Sequence, residues 1–248
     1  MIHIRTEEEI KKIRLACKVA AHSLAEMKKK CFAGITTGQL DEIGEKAIIE
    51  NGAVPIFKGY RGYKYATCIS INNQVVHGIP GDTKIEDGDI VGLDVGVKLN
   101  GYCGDVAETV IVGRVGNRIK KLVKTAREAL YSGIKQIKEG IRMGDLSAAI
   151  QKCAEKNGFS VVRDLFGHGI GEQLHEDPLI PNFGKAGEGA QLKAGMVFAI
   201  EPMLNEKGWK IALLDDGWTI VTDDGGYSAH FEHTIVVEKN GAEILSRS

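Results

Sequence analysis

Gly34-Ile35-Thr36-Thr37-Gly38-Gln39-Leu40 and Gly140-Ile141-Arg142-Met143-Gly144-Asp145-Leu146 repeat one pattern, residue 34 aligning with residue 140 at an offset of 106. The match persists at the far end, where Lys46, Asn51 and Gly52 fall on Lys152, Asn157 and Gly158. Each copy reads as an amphipathic helix stopped by Asn-Gly, because glycine tolerates the left-handed backbone that ends a helix. A longer helix is expected before each copy. The first opens on the box Thr6-Glu7-Glu8-Glu9 and carries Ile10, Ile13, Cys17, Ala20, Leu24 and Met27 on one face. The second is expected from about Arg118 to Lys138, with Ile119, Leu122, Val123, Ala126, Leu130, Ile134 and Ile137 as its stripe.

After each helix pair the alignment recurs one residue longer, Gly88-Asp-Ile-Val-Gly-Leu-Asp94 lying on Gly195-Met-Val-Phe-Ala-Ile-Glu201. This predicts an α+β fold in which one domain, residues 1–248, is made of two duplicated halves, about 1–113 and 114–248. Their half-sheets would merge, with helices on one side and a site between the halves.

That site has candidate residues. Asp94, Asp105, Glu201 and Glu232 stand inside or at the ends of apolar runs, and a buried carboxylate is costly unless a cation meets it. No run of Lys or Arg lies near them, so two divalent ions are the expected counter-charge, with His168 as an imidazole donor. Asn100-Gly101 signals a two-residue hairpin. Centred there, it sets residue 94 opposite 107 and makes Asp94 and Asp105 diagonal neighbours on one face, at roughly 7–8 Å between backbone positions. Glycine- and Asp-rich stretches leave the register of the second hairpin open. Gly167, Gly169 and Gly171 argue against a helix at His168, and no helical HExxH is present.

Composition excludes several classes. Lys plus Arg number 32 against 33 Asp plus Glu, which gives no whole-chain case for nucleic acid or anionic membrane. No apolar run is long enough to span a bilayer and the start has no signal-peptide core, so a cytoplasmic location is expected. Five scattered cysteines without a CxxC pair point to small core residues rather than a disulfide framework or zinc-thiolate site.

Taken together, His77-Gly-Ile-Pro, Leu-Asp94-Val, Gly-Asp105, Gly-His168-Gly-Ile-Gly, Leu-His175-Glu-Asp-Pro, Ile-Glu201-Pro-Met and Phe-Glu232-His-Thr resemble the type I methionine aminopeptidases, in order and at matching spacing. The resemblance implies a pita-bread fold: two pseudo-twofold-related halves, a curved antiparallel sheet and helices outside. It implies metal ligation by Asp94, Asp105, His168, Glu201 and Glu232, with Asp105 and Glu232 bridging two ions drawn from Mn, Fe, Co or Zn. His77, His175 and Glu201 would be catalytic. His77 and His175 would touch the substrate amide and the tetrahedral intermediate, and Glu201 would shuttle the proton. Phe57, Tyr60, Tyr63, Cys68, Leu174 and Trp218 would line the methionine pocket. Arg61, where many members carry His, and Leu174, where Phe is common, depart from the pattern and bear on substrate preference.

The implied activity is removal of the initiator methionine from nascent polypeptide N-termini by a monomer, with ribosome association left open. The 25 residues between His175 and Glu201 leave no room for the helical insertion of type II enzymes, and no N-terminal zinc-binding extension is expected. Rivals are an Xaa-Pro aminopeptidase or prolidase, and a binding protein that kept the fold without catalysis.

Overall fold

Thr6 begins the first helix as the sequence predicts. Its side chain accepts from the Glu9 N–H while the Glu9 carboxylate accepts from the Thr6 N–H, satisfying donors that a helix start otherwise leaves open. The computed structural model describes residues 2–247. In chain order its elements are α1 (Glu7–Lys30), α2 (Thr37–Glu50), β1 (Val54–Pro55), β2 (Cys68–Ile71), β3 (Gln74–Val76), β4 (Ile90–Leu99), β5 (Tyr102–Ile111), α3 (Asn117–Ile134) and α4 (Met143–Lys156). Then follow β6 (Ser160–Val161), β7 (Gly167–Gly169), β8 (Glu176–Ile180), β9 (Val197–Ile200), β10 (Met203–Asn205), β11 (Ile211–Leu213), β12 (Ile220–Thr222), β13 (Ser228–Glu238) and β14 (Gly241–Ile244). No helix among the described residues is long and apolar enough to cross a membrane.

The expected helix stops are present. Asn51 and Asn157 cap α2 and α4, and Gly52 and Gly158 follow at φ 72° and 83°. One boundary differs. The second long helix ends at Ile134 rather than near Lys138, and tighter turns follow, with the Gln136 N–H donating to Gly133 and the Ile137 N–H to Ile134. The apolar periodicity overran the helix because this turn still delivers Ile137 into the core.

Among the described residues eleven strands form one sheet, with β1-β4-β5-β13-β9-β7-β8 as its main path. Alternation along the strands sorts its two faces. Val91, Leu93, Val95 and Val97 of β4 pack with Leu24, Met27, Leu40 and Ile48 of α1 and α2. Phe231, Ile235 and Val237 of β13 pack with Leu122, Leu130, Leu146 and Ile150 of α3 and α4. Asp94, between Leu93 and Val95, and Glu232, beside Phe231, therefore turn to the face away from the helices. A small separate sheet, β11-β12-β3, was not foreseen; it packs Val75, Val76 and Ile220 with Val162 and Met203.

α1 lies very close to the central hairpin. A Cβ added to Gly104 would meet the Cys17 nitrogen at 2.4 Å and the Ala16 carbonyl carbon at 2.7 Å, both backbone atoms that cannot yield without moving the helix. Gly104→Ala is expected to lower the unfolding free energy by about 1–3 kcal/mol, the usual cost of overpacking. Chemical denaturation measures it, and a variant as stable as the parent would contradict this account of the helix–sheet contact.

Candidate metal centre

The hairpin register is the one Asn100-Gly101 predicts: Leu99 faces Tyr102, Asp94 faces Ala107, and Asp105 faces Gly96. The ladder continues across the sheet, where Ala107 faces Glu232. On the far side of β13, His233 pairs with Ile200 and His230 with Met203, so one unbroken register sets Glu201 across from Glu232. Asp94, Ala107, Glu232 and Glu201 thus form a row over four neighbouring strands, with Asp105 two residues along β5. The small side chain of Ala107 leaves the centre of the row open.

His168 reaches the row from β7, opposite Ala199 of β9. Its glycine neighbours have a steric reason: a Cβ at Gly167 would lie 2.4 Å from the Ala199 carbonyl oxygen, and one at Gly169 2.1 Å from that of Asp177. Only glycine lets β7 fit between β8 and β9. His168 Nδ1 lies 3.0 Å from the Gly169 carbonyl oxygen, an acceptor only, so Nδ1 carries the hydrogen and Nε2 keeps its lone pair. That is the tautomer a metal-binding imidazole needs.

Ligating atoms of Asp105, His168 and Glu232 lie within 4.8 Å of one another. His168 Nε2 is 3.6 Å from Oε1 of Glu201. Asp94 joins through the row rather than through that tight triplet. Burial pushes the Asp94, Asp105 and Glu232 carboxyls well above their ordinary range, and mutual repulsion adds to it. Burial also acts on Glu201, but the facing imidazoles, His230 foremost and His168 and His175 in their protonated form, outweigh it and hold that carboxyl below its usual value. Asp94 Oδ1 and Glu232 Oε1 are buried and have no hydrogen-bond partner among the described residues. Hard oxygen donors carrying unspent lone pairs, with one imidazole, fit divalent cations of the Mn, Fe, Co or Zn type.

All thirteen residues singled out from sequence line one cavity of about 620 Å³. Phe57, Tyr63, Cys68 and Leu174 are buried in its wall, and Trp218 meets the Tyr63 ring edge-on at 5.0 Å. His77 sits in left-handed backbone, φ 59°, with its ring 6.4 Å from Trp218. The His175 ring lies 4.3 Å from that of His168, and its Nδ1 is 2.8 Å from the Tyr60 hydroxyl. Burial, then His168, lowers His175 to about 4. Of the two departures, Arg61 is exposed at the rim over the Tyr60 ring, and Leu174 is buried among the pocket aromatics.

One buried group was missed. His230 Nε2 lies 3.6 Å from Oε2 of Glu201. The signal was present, since His230 is two residues before Glu232 on an extended run and so shares its face.

Comparison with known proteins agrees with this geometry. The model of metallopeptidase family M24 matches residues 11–239. The methionine aminopeptidase of Clostridium perfringens is 48% identical over 246 residues, covering 99% of each chain. Methionine aminopeptidase 1 of Bacillus subtilis is 47% identical over the whole of both chains. The crystal structure of methionine aminopeptidase from Thermotoga maritima superposes with a TM-score of 0.98 at 48% identity over all of both chains. The prolidase of Pyrococcus furiosus, 24% identical with a TM-score of 0.80 over 99% of this chain and 65% of that one, shares the fold. The fold is thus the pita-bread arrangement that the sequence pattern implied, and the chain belongs to metallopeptidase family M24, among its methionine aminopeptidases.

Proposed function

We propose that the chain hydrolyses the first peptide bond of polypeptides that begin with methionine, acting as a monomer in the cytoplasm on nascent chains as they emerge from the ribosome. The observation that carries this reading is the buried carboxylate row, which has lone pairs without partners and, among the described residues, no Lys or Arg paired with it. In this reading Asp94, Asp105, His168, Glu201 and Glu232 would hold two divalent ions, and the site lies where the duplicated halves, about 1–113 and 114–248, meet. Bound there, such ions supply Lewis acidity and lower the pKa of water toward neutrality.

The chain's own residues do the rest. The methionine side chain enters the pocket of Phe57, Tyr60, Tyr63, Cys68, Leu174 and Trp218, where aromatic edges and a sulfur offer polarizable contacts to a thioether. His175 is neutral at cellular pH, its pKa being about 4. In this reading the Tyr60 hydroxyl, 2.8 Å from Nδ1, donates to it, and Nε2 is then the N–H donor toward the scissile carbonyl oxygen, where negative charge develops. Burial holds His77 neutral as well, and its ring faces the same cleft to meet the substrate amide. Glu201 keeps its carboxylate ionised and is the group that accepts a proton and passes it to the leaving amine.

Three outcomes are expected. Asp105→Ala and Glu232→Ala each lose cleavage of Met-Ala-Ser and bind less metal by elemental analysis; normal turnover in either would place the chemistry elsewhere. His77→Ala loses about 10²-fold or more in kcat, as removal of a donor to developing charge does, while retaining its metal. Hydrolysis of Ala-Pro peptides but not Met-Ala-Ser would favour the Xaa-Pro reading over this one.

The third outcome concerns pH. For an acid whose folded pKa is raised, the folded state holds its proton longer than the unfolded chain, so stability falls as pH rises from the unfolded value of about 4 through the raised one. Metal-stripped protein should therefore melt lower at pH 8 than at pH 5.5, and added Mn should recover the loss at pH 8, since ions bind the folded state. Thermal melts that are flat with pH and indifferent to Mn would contradict the buried-charge account.

A further inference from the structure

β5 and β13 meet over three residue pairs only, Phe231 with Glu108, Glu232 with Ala107 and His233 with Val106. Beyond each end of this short ladder a threonine hydroxyl stands in for the backbone bonds. At one end Thr234 Oγ1 donates to the Asp105 carbonyl at 2.8 Å and accepts from the Asp105 N–H at 3.2 Å. At the other, Thr109 Oγ1 donates to the His230 carbonyl at 2.9 Å and accepts from the His230 N–H at 2.9 Å. A local twofold axis through the Ala107–Glu232 pair exchanges Thr109 with Thr234 and Asp105 with His230. The sequence follows the same exchange, Thr109-Val-Ile-Val112 lying on Thr234-Ile-Val-Val237. His230 therefore occupies, on β13, the place that Asp105 occupies on β5.

Its backbone is clamped and its ring buried, at 4% exposure. Nε2 has no hydrogen-bond partner among the described residues, and the carboxylate it faces is Glu201, 3.6 Å away at Oε2. A closure of a few tenths of an ångström makes that contact a hydrogen bond. Glu201 Oε1 faces His168 Nε2, also at 3.6 Å, so the carboxylate stands between two imidazoles that address different oxygens. A carboxylate at position 230 would have added a further like charge to a set already in repulsion; an imidazole adds a donor and no negative charge. His230 is not among the residues lining the cavity, which keeps it off the substrate.

We propose that His230 is a positioning residue: its Nε2–H holds Oε2 of Glu201 and so keeps Oε1 turned toward His168 and the carboxylate row. The proposal deepens the aminopeptidase reading and rests on it for its kinetic consequence alone. An outer partner of this kind usually contributes about 10–100-fold. His230→Ala is expected to lower kcat for Met-Ala-Ser by about that factor with KM little changed and metal content intact. His230→Gln, whose amide N–H restores a donor, is expected to recover most of the loss.

A second measurement needs neither metal nor turnover. Long-range ¹H–¹⁵N spectra of metal-stripped protein should show His230, identified by the signal missing in His230→Gln, as the Nε2–H tautomer, and Glu201→Ala should shift that signal. Parental kcat in His230→Ala, a glutamine variant as slow as the alanine one, or a His230 Nδ1–H tautomer indifferent to Glu201→Ala would each overturn the proposal. Failure of the unmodified protein to cleave Met-Ala-Ser would instead sink the functional reading, while the spectra still judge the contact.

Discussion

Repulsion among carboxylates held together out of water is the constraint around which this molecule is built. Asp94, Asp105 and Glu232 are pushed toward protonation by burial and by each other, and two of their oxygens have no partner among the described residues. A folded chain holds such a set only if the rest of the fold opposes its separation. Here the opposition is hydrophobic. Leu93 and Val95 flank Asp94, Phe231 adjoins Glu232, and all three apolar neighbours are pinned beneath helices, so no acid can turn out to solvent without exposing core. Strand alternation makes the two faces inseparable: what buries the valines against the helices also aims the acids the other way.

The imidazoles set up the electrostatics of the same row. His168 turns Nδ1–H to the Gly169 carbonyl, and His230 leads the groups that hold the Glu201 carboxyl below its usual range. The loop carrying His175 is tied in turn to the N-terminal segment. Arg5, almost wholly buried, pairs with Glu176 beside that histidine, and its guanidinium fills the space that a Cβ on Gly171 would need. A residue near the start of the chain thus bears on the position of a group at the centre of the cleft.

Fold and chemistry separate cleanly in the comparisons. A prolidase shares the architecture at 24% identity, whereas methionine aminopeptidases share nearly half of all residues over the full length. Aromatic and apolar side chains line one wall of the cleft. Tyr63 illustrates how that wall is stiffened, its hydroxyl donating to both the Thr67 and Gly78 carbonyls while its ring meets Trp218. Arg61, exposed at the rim, and Leu174, buried within this wall, both line the cavity.

Local chemistry was legible in the sequence. The Thr6 cap, the Asn-Gly helix ends and the hairpin register at Asn100-Gly101 each depend on a few adjacent residues, and each appears as read. The acids could be picked out because a charge inside an apolar run is anomalous wherever the chain goes. The end of α3 was misjudged because periodicity reports which residues are buried, not whether the backbone between them is helical. What tertiary structure alone decided is the joining of distant strands: the β9–β13 register that sets Glu201 across from Glu232, the threonine clamps on Asp105 and His230, and the small separate sheet. Those pairings are long-range. A strand's own residues specify which face is apolar, but its partner and register follow from how the helices and sheet pack together.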